Sequence, residues 1–335
     1  MANVLLTSTA PPDEPSRPYP YDELHRMERS ASCDKFGVHA VTDDPAAADI
    51  ILYVENCDPI QHYLEVRRDR YYRQHPDRCF LFSRNDLPVP FLPGIYASMP
   101  ARWYDPRRTR TGPYLNAFDH SFIPDDAPFN HVDILYSFVG QRTTHPLREA
   151  LFDLDHPDQF LFDTAPYWPY GDLEPAQRDR LEHQYVDTMR RSQFVLCPRG
   201  RGASSIRLFE SLRMGRAPVI ISDAWVPPVG PDWNAFSVRV PESQVSRIPV
   251  LLAERESDAK EMGQRARAVW EDWFSESATF HRSVEWCLEI QRARNLPERM
   301  LRFSVVPQLM CPTYFKELVR HLLPRRVKSL VTDSS

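Results

Sequence analysis

Residues 194–228, FVLCPRGRGASSIRLFESLRMGRAPVIISDAWVPP, decide the fold. An apolar strand at 194–197 runs into the loop Pro198-Arg199-Gly200-Arg201-Gly202, whose glycines let backbone approach a ligand and whose arginines suit an anion. A helix over 204–214 follows. Ser204 or Ser205 is placed to cap it, and its free N–H groups and positive dipole end favour a bound phosphate. On a helical wheel Ile206, Leu208, Phe209 and Leu212 share one arc, while Ser204, Arg207, Glu210 and Ser211 share the other. The polar arc is expected to face a cleft. Arg207 then lies one turn inside a phosphate-binding helix, and Glu210 is suited to accept two hydroxyl hydrogen bonds from a ribose. Alternatively the two form an i,i+3 ion pair on a solvated face. A second strand, 218–222, completes a β-loop-α-β unit.

Working outward, the same alternation fills the chain. Strands are expected at 3–8, 48–55 (ADIILYVE), 79–83, 134–140 (ILYSFVG) and 159–163, and helices at 21–31, 63–75, 146–154 and 176–192. The β-branched run at 48–55 suits a parallel strand buried on both faces. Residues 87–129, rich in Pro and aromatics, are expected to be irregular, with short strands and long loops. After Ser257 the chain turns helical at 258–274, 277–294 and 312–323. Consecutive right-handed crossovers imply doubly wound parallel sheets with ligands at the carboxyl ends of the strands. A boundary near residue 130 divides a first Rossmann-like domain (1–130) from a second, nucleotide-binding one (131–300), with helices at 301–335 packing across both.

Composition narrows the function. At 335 residues the chain fits two domains sharing a cleft, and 42% hydrophobic content supports packed cores. A formal net charge of −5 gives no basic field of the kind that draws proteins onto nucleic acid, so no nucleic-acid partner is expected. Cys33, Cys57, Cys79, Cys197, Cys287 and Cys311 are scattered without a CxxC pair or a His at ligand spacing, and signal neither a disulfide framework nor a zinc site. No leader or membrane-spanning segment is read, which makes a reducing cytoplasm the expected setting.

The stretch at 194–228 resembles the signature of the exostosin-type glycosyltransferases, glycosyltransferase family 47. There a strand ending in Cys-Pro-Arg-Gly precedes a Ser-x-Arg-x-x-Glu helix, a small-residue turn and Pro-Val-Ile-Ile. The matching residues are Cys197, Pro198, Arg199, Gly200, Ser205, Arg207, Glu210, Gly215, Pro218, Val219, Ile220 and Ile221. Residues 42–49 (TDDPAAAD) and 136–148 (YSFVGQRTTHPLR) extend the likeness to about residues 40 to 230. The resemblance implies the GT-B architecture, two Rossmann-like α/β domains facing across a cleft. It also implies a nucleotide-sugar donor, a UDP-sugar by preference, held by the second domain. Transfer to a glycan or other hydroxyl acceptor with inversion, and no essential metal or other cofactor, are implied as well. Eukaryotic relatives are usually anchored in the Golgi, a segment not read here, which leaves compartment and acceptor open.

The donor-binding candidates are Gly140, Arg142, His145, Arg199, Gly200, Arg201, Ser204, Ser205, Arg207 and Glu210. His145 and Arg142 either reach a diphosphate or belong to the start of the helix at Pro146. For the base that deprotonates the acceptor, Asp86, Glu55 and Asp58 follow the carboxyl ends of expected strands in the first domain, Asp86 ranking first, though an Asx turn also explains Asp86. Asp153-Leu154-Asp155 is formally a DxD metal motif, but closes a helix rather than following a strand. Trp225, Trp233, Trp270 and Trp273 either stack on a base or sugar or pack in the core, with core packing expected for most. Absence of GxGxxG and GxxxxGK[ST] argues against dinucleotide oxidoreductases and P-loop proteins. A donor motif without a base would instead make a catalytically silent partner of another transferase. The basic, apolar stretch 314–328 is expected to pack across the domains, or to touch an anionic membrane surface weakly.

Overall fold

A computed structural model of the chain describes residues 1–9, 23–55, 65–118, 120, 122–124, 129–168, 172–301, 303–304, 306–312 and 315. The β-branched and aromatic runs form two all-parallel sheets. The first has six strands: β1 (Asn3–Thr7), β2 (Ala40–Val41), β3 (Ile50–Glu55), β4 (Cys79–Ser83), β5 (Gly94–Tyr96) and β6 (Thr109–Thr111), in the order β2-β1-β3-β4-β5-β6. The second has five: β7 (Ile134–Gly140), β8 (Gln159–Asp163), β9 (Ser192–Pro198), β10 (Ala217–Ile221) and β11 (Val238–Arg239), in the order β11-β10-β9-β7-β8. This is the two-sheet GT-B arrangement. All six residues of β3 are buried, as its unbroken apolar run requires.

The helices are α1 (Glu23–Ser32), α2 (Arg70–Gln74), α3 (Pro146–Leu151), α4 (Pro175–Arg191), α5 (Ile206–Arg213), α6 (Ile248–Ala253), α7 (Ala259–Val269) and α8 (Glu276–Ala293). Three apolar cores result. One lies on the outer face of the first sheet around Tyr53 and Leu81, and a second on the outer face of the second around Phe138 and Leu196. The third is continuous between the sheets, joining Val54 and Phe82 to Leu208, Phe209 and Trp270. Tyr114 meets Phe209 edge-on at 6.2 Å, and Phe118 meets Trp270 in the same way. Arg213 on α5 donates to the carbonyls of Ala117, Phe118 and Ile123, satisfying a loop of the first domain. A shared apolar core with such clamps fixes the two sheets against each other.

The short strands expected within residues 87–129 are β5 and β6, which complete the first sheet. Three other expectations change. The helix expected over 63–75 is broken at Asp69, whose carboxylate caps α2 through Tyr71 N (2.9 Å) and accepts from Tyr53. The helix expected over 258–274 runs as α7 and then widens: Trp270–Phe274 is a π-helical turn. Finally, α8 leaves the second sheet and lies against the first. Ser30 Oγ accepts from Phe280 N (2.9 Å), Arg29 pairs with Glu276, and Arg110 pairs with Glu289. Beyond it, Arg108 grips buried Glu298 with two hydrogen bonds of 2.8 and 3.1 Å. The chain thus returns to the first domain before residue 300.

Cys33, Cys79, Cys197, Cys287 and Cys311 are free thiols, and Cys57 lies outside the described residues. So does all of the basic stretch 314–328 except Phe315. Among the described residues no helix is long and apolar enough to cross a membrane.

Candidate functional site

In an open parallel sheet, ligands lie where neighbouring strands send their following loops to opposite faces. In the second sheet β7 is such a strand, with β8 on one side and β9 on the other. A cavity of about 1160 Å³ opens at this point, against Val139, Gly140 and Gln141 at the end of β7 and Gly200, Arg201 and Gly202 after β9. Its opposite wall comes from the first domain: Arg84 to Leu87 after β4, and Tyr114, Asn116 and His120 after β6.

Local sequence explains the second-domain wall. Strand β9 ends at Pro198, the glycine-bearing loop turns, and α5 begins at Ile206 with Ser205 at the N-cap position. Helix α5 ends on Gly215 at φ +66°, which lets Arg216 N bond Ser211 O and Gly215 N bond Leu212 O. The expected caps differ from those found. Ser205 makes no capping hydrogen bond, and its hydroxyl lies 3.5 Å from Nη1 of Arg207. The backbone N–H of Ser204 donates to Ser98 Oγ of the first domain (3.1 Å), while its own buried hydroxyl has no partner. Gly202 is held just as closely: a Cβ there would stand 2.2 Å from Ser98 Oγ and 2.6 Å from the Asp86 carbonyl. The loop therefore bridges the two domains.

The polar arc of α5 reaches the cavity at Arg207 and Glu210. Ser211 does not follow them: its hydroxyl donates to Leu208 O at 2.7 Å, close to Cys197 Sγ, because α5 is buried nearly all round. Ile206, placed on the apolar arc by the wheel, instead lines the cavity, since the first turn of the helix points at it. Arg207 is 8% exposed, donates to Val139 O at 2.6 Å and lies over the rings of Phe138 and Tyr185. Its Nε has no partner. No Arg207–Glu210 ion pair forms among the described residues. Glu210 instead accepts from the Tyr185 hydroxyl, whose pKa burial and then the Glu210 charge hold well above the ordinary phenol value. Tyr185 is thus a fixed donor.

Arg148, on α3, was not singled out although it lies in the quoted stretch 136–148. Its guanidinium donates to the carbonyls of Arg199 (3.0 Å) and Gln141 (3.2 Å) and lines the same cavity. Burial above all, then the charge of Arg207, pulls its pKa below the arginine norm. A guanidinium nevertheless stays protonated in a protein. The cavity therefore holds one buried and one partly buried cation, Arg207 and Arg148, neither making an ion pair among the described residues. Gly140 and Gly200 make room for them: a Cβ would stand 2.5 Å from Arg207 Nη2 at the first and 2.8 Å from Arg148 Nη2 at the second.

The other expected site residues divide. Asp86 lines the cavity and accepts from the Tyr114 hydroxyl at 3.0 Å. Exposed Arg201 lines it too. Arg199 turns to Glu242 (3.6 Å) and a neighbouring cavity of about 420 Å³, which also touches Asp86 and Arg201. Arg142 turns outward to Glu149 (2.5 Å), over the Phe152 ring. His145 is the N-cap of α3, accepting from Leu147 N at 3.2 Å, and burial followed by the Arg199 charge lowers its pKa. Neither Arg142 nor His145 lines the main cavity, because the backbone turns after Gly140 to start α3. Glu55 stands at the equivalent strand-end crevice of the first sheet, 3% exposed, accepting from Ser8 and twice from Thr9. It does not line the cavity, and Asp58 lies outside the described residues. Trp225, Trp233, Trp270 and Trp273 pack on other rings or on Arg282, whereas Trp168, which no pattern marked, lies exposed at the cavity edge.

Comparison with known proteins agrees with this geometry. The profile of the exostosin GT47 domain matches residues 96–254, from the end of β5 through α6. An exostosin-1 homolog of Caenorhabditis elegans is 32% identical over 161 residues, covering 44% of this chain and 42% of that one. Exostosin-1 of Drosophila melanogaster is 29% identical over 188 residues, 51% of this chain and 24% of the relative. The chain thus spans less than half the length of these relatives. Among solved structures, a glycosyltransferase from Rickettsia africae ESF-5 aligns over 86% of this chain and 98% of that one at 12% identity and a TM-score of 0.42, a likeness too slight to add to the reading. Over residues 96–254 the chain carries an exostosin GT47 domain.

Proposed function

We propose that the cavity binds the nucleoside diphosphate of a nucleotide-sugar, by preference a UDP-sugar, and that the enzyme transfers the sugar with inversion to a hydroxyl of a glycan acceptor. The observation that carries this is the pair Arg148 and Arg207, a partly buried and a buried guanidinium group on one cavity, neither with a carboxylate partner among the described residues. Cations of this kind call for an anion, and a diphosphate presents oxygens to both forks at once. In this reading Arg207 takes the phosphate nearer α5, whose positive end adds to the attraction. Glu210, oriented by Tyr185, accepts from the ribose hydroxyls.

Catalysis then needs a base and a stabilised leaving group. Asp86 enters from the opposite wall and takes the acceptor proton, its carboxylate set by the Tyr114 hydroxyl. As the donor bond breaks, charge grows on the departing diphosphate, and the arginines strengthen their hold. Proton removal and charge neutralisation by these side chains leave no step that requires a metal. Titration of UDP, GDP and ADP against the wild type and the Arg148→Gln variant by calorimetry tests the reading. One diphosphate is expected to bind wild type and to lose at least about tenfold in affinity in the variant, about 1.4 kcal/mol. Equal affinity in both would remove the diphosphate from this cavity.

A further inference from the structure

Away from the cleft, His281 and Glu285 stand four residues apart on α8 and so share one helix face. His39, in the segment leading into β2, meets them there. One ligand atom from each residue lies within 4.8 Å of the other two, and Nε2 of His39 is 3.0 Å from Oε1 of Glu285. We propose that His39, His281 and Glu285 form a zinc-binding site that fastens α8 to the first domain. No zinc spacing is legible in the chain because His39 is remote from His281 and Glu285.

Two features single this cluster out from an ordinary ion pair. First, the His39 side chain is fully buried and His281 is 8% exposed, yet both ring nitrogens of His39 and Nδ1 of His281 lack hydrogen-bond partners. The His39–Glu285 approach is close but does not meet hydrogen-bond geometry. Buried ring nitrogens without partners are costly, and a coordinated cation relieves several of them together. Second, the rings are held: Phe36 stacks on His281 with centroids 4.1 Å apart, and Arg282 covers Phe36 from beyond.

The chemistry fits zinc. Two imidazoles and a carboxylate are a recurrent zinc set, one shared with non-haem iron(II) sites, and no thiolate or oxygen cage is present to favour softer or harder metals. Bonds of about 2.0 to 2.1 Å in a tetrahedron place ligands roughly 3.3 Å apart, so modest side-chain rotation closes the cluster. Glu285, 36% exposed, marks the side on which water takes the fourth position. Here Lys35 N donates to Ser277 O at 2.9 Å and Lys35 Nζ pairs with Asp272, so the metal completes an existing junction. Because the ligands come from distant parts of the chain, the assembled site exists only in the folded state, and binding there stabilises the fold.

The test uses the whole chain, stripped with a chelator and then titrated with zinc chloride against a chromophoric competitor. One zinc per chain is expected, with a melting temperature that falls on stripping and recovers on zinc addition. Cobalt(II) in its place is expected to give the intense visible bands of a tetrahedral site. His39→Gln and His281→Ala are each expected to weaken zinc affinity at least about 100-fold. Should the buried variants misfold, Glu285→Gln at the half-exposed position is expected to weaken it as well. No stoichiometric zinc in the wild type overturns the proposal, and so does undiminished affinity in any folded variant. Nucleoside diphosphate binding in the cleft is a separate readout, expected to survive in all three.

Discussion

Nη2 of Arg207 occupies the space that a side chain at residue 140 would need, 2.5 Å from where a Cβ of Gly140 would stand. The Phe138 ring, 3.1 Å from the same point, closes the other side. In Gly140→Ala the methyl group therefore has to drive the guanidinium off the Val139 carbonyl. We predict a loss of nucleoside diphosphate affinity of about 10- to 100-fold, about 1.4 to 2.8 kcal/mol, measured by calorimetry. Wild-type affinity would mean that Arg207 does not hold the phosphates from its present position.

Arg207 and Glu210 are predicted to separate kinetically. Arg207→Ala removes a charge-assisted contact that strengthens as the leaving group gains charge, so turnover and donor binding should fall together by about 2 to 4 kcal/mol. Glu210→Gln loses an anionic acceptor, and its cost of about 1 to 3 kcal/mol should fall mainly on donor affinity. Initial rates at varied donor concentration resolve the two. If both variants keep wild-type kcat and KM, neither residue touches the donor.

Asp86 and Glu55 should also part. Asp86→Asn keeps the shape of the cavity but cannot take a proton, so turnover is predicted to drop by about 10²- to 10⁴-fold with donor affinity retained. Glu55→Gln, away from the cavity, should leave turnover near wild type. Full activity in Asp86→Asn would transfer the base to another group, with His120 on the same wall the next to test.

Glu55 should instead be visible in stability. Burial, only partly offset by the hydrogen bonds from Thr9 and Ser8, raises its pKa from 4.5 to about 7. The folded state therefore binds its proton more tightly than the unfolded state. The stabilisation from the protonated form is fully present below pH 4.5 and is lost as pH rises through 7. Denaturant unfolding at a series of pH values should show the wild type losing about 2 to 3 kcal/mol over this window relative to Glu55→Gln. Parallel curves for the two proteins would place the titration elsewhere.

The strands, the glycine loop, α5 and its turn at Gly215 are governed by residues adjacent in the chain, and the sequence by itself determined them. An apolar run, a glycine pair and a Ser-x-Arg-x-x-Glu helix carry their meaning in local spacing, and Arg207 and Glu210 both line the cavity as that spacing implies. Arg142 and His145 show where that logic stops: both follow Gly140, but the direction of the chain entering α3 turned them away from the cavity. Arg148, three residues beyond His145, was turned into it. Tertiary structure alone decided that Tyr185 on α4 aims Glu210, that Ser98 takes the Ser204 amide, and that α8 crosses back to bring His281 beside His39. These relations join residues far apart in the chain. Their partners are selected by packing of the shared core, and no periodicity along one segment records which distant side chain will fill the space beside it.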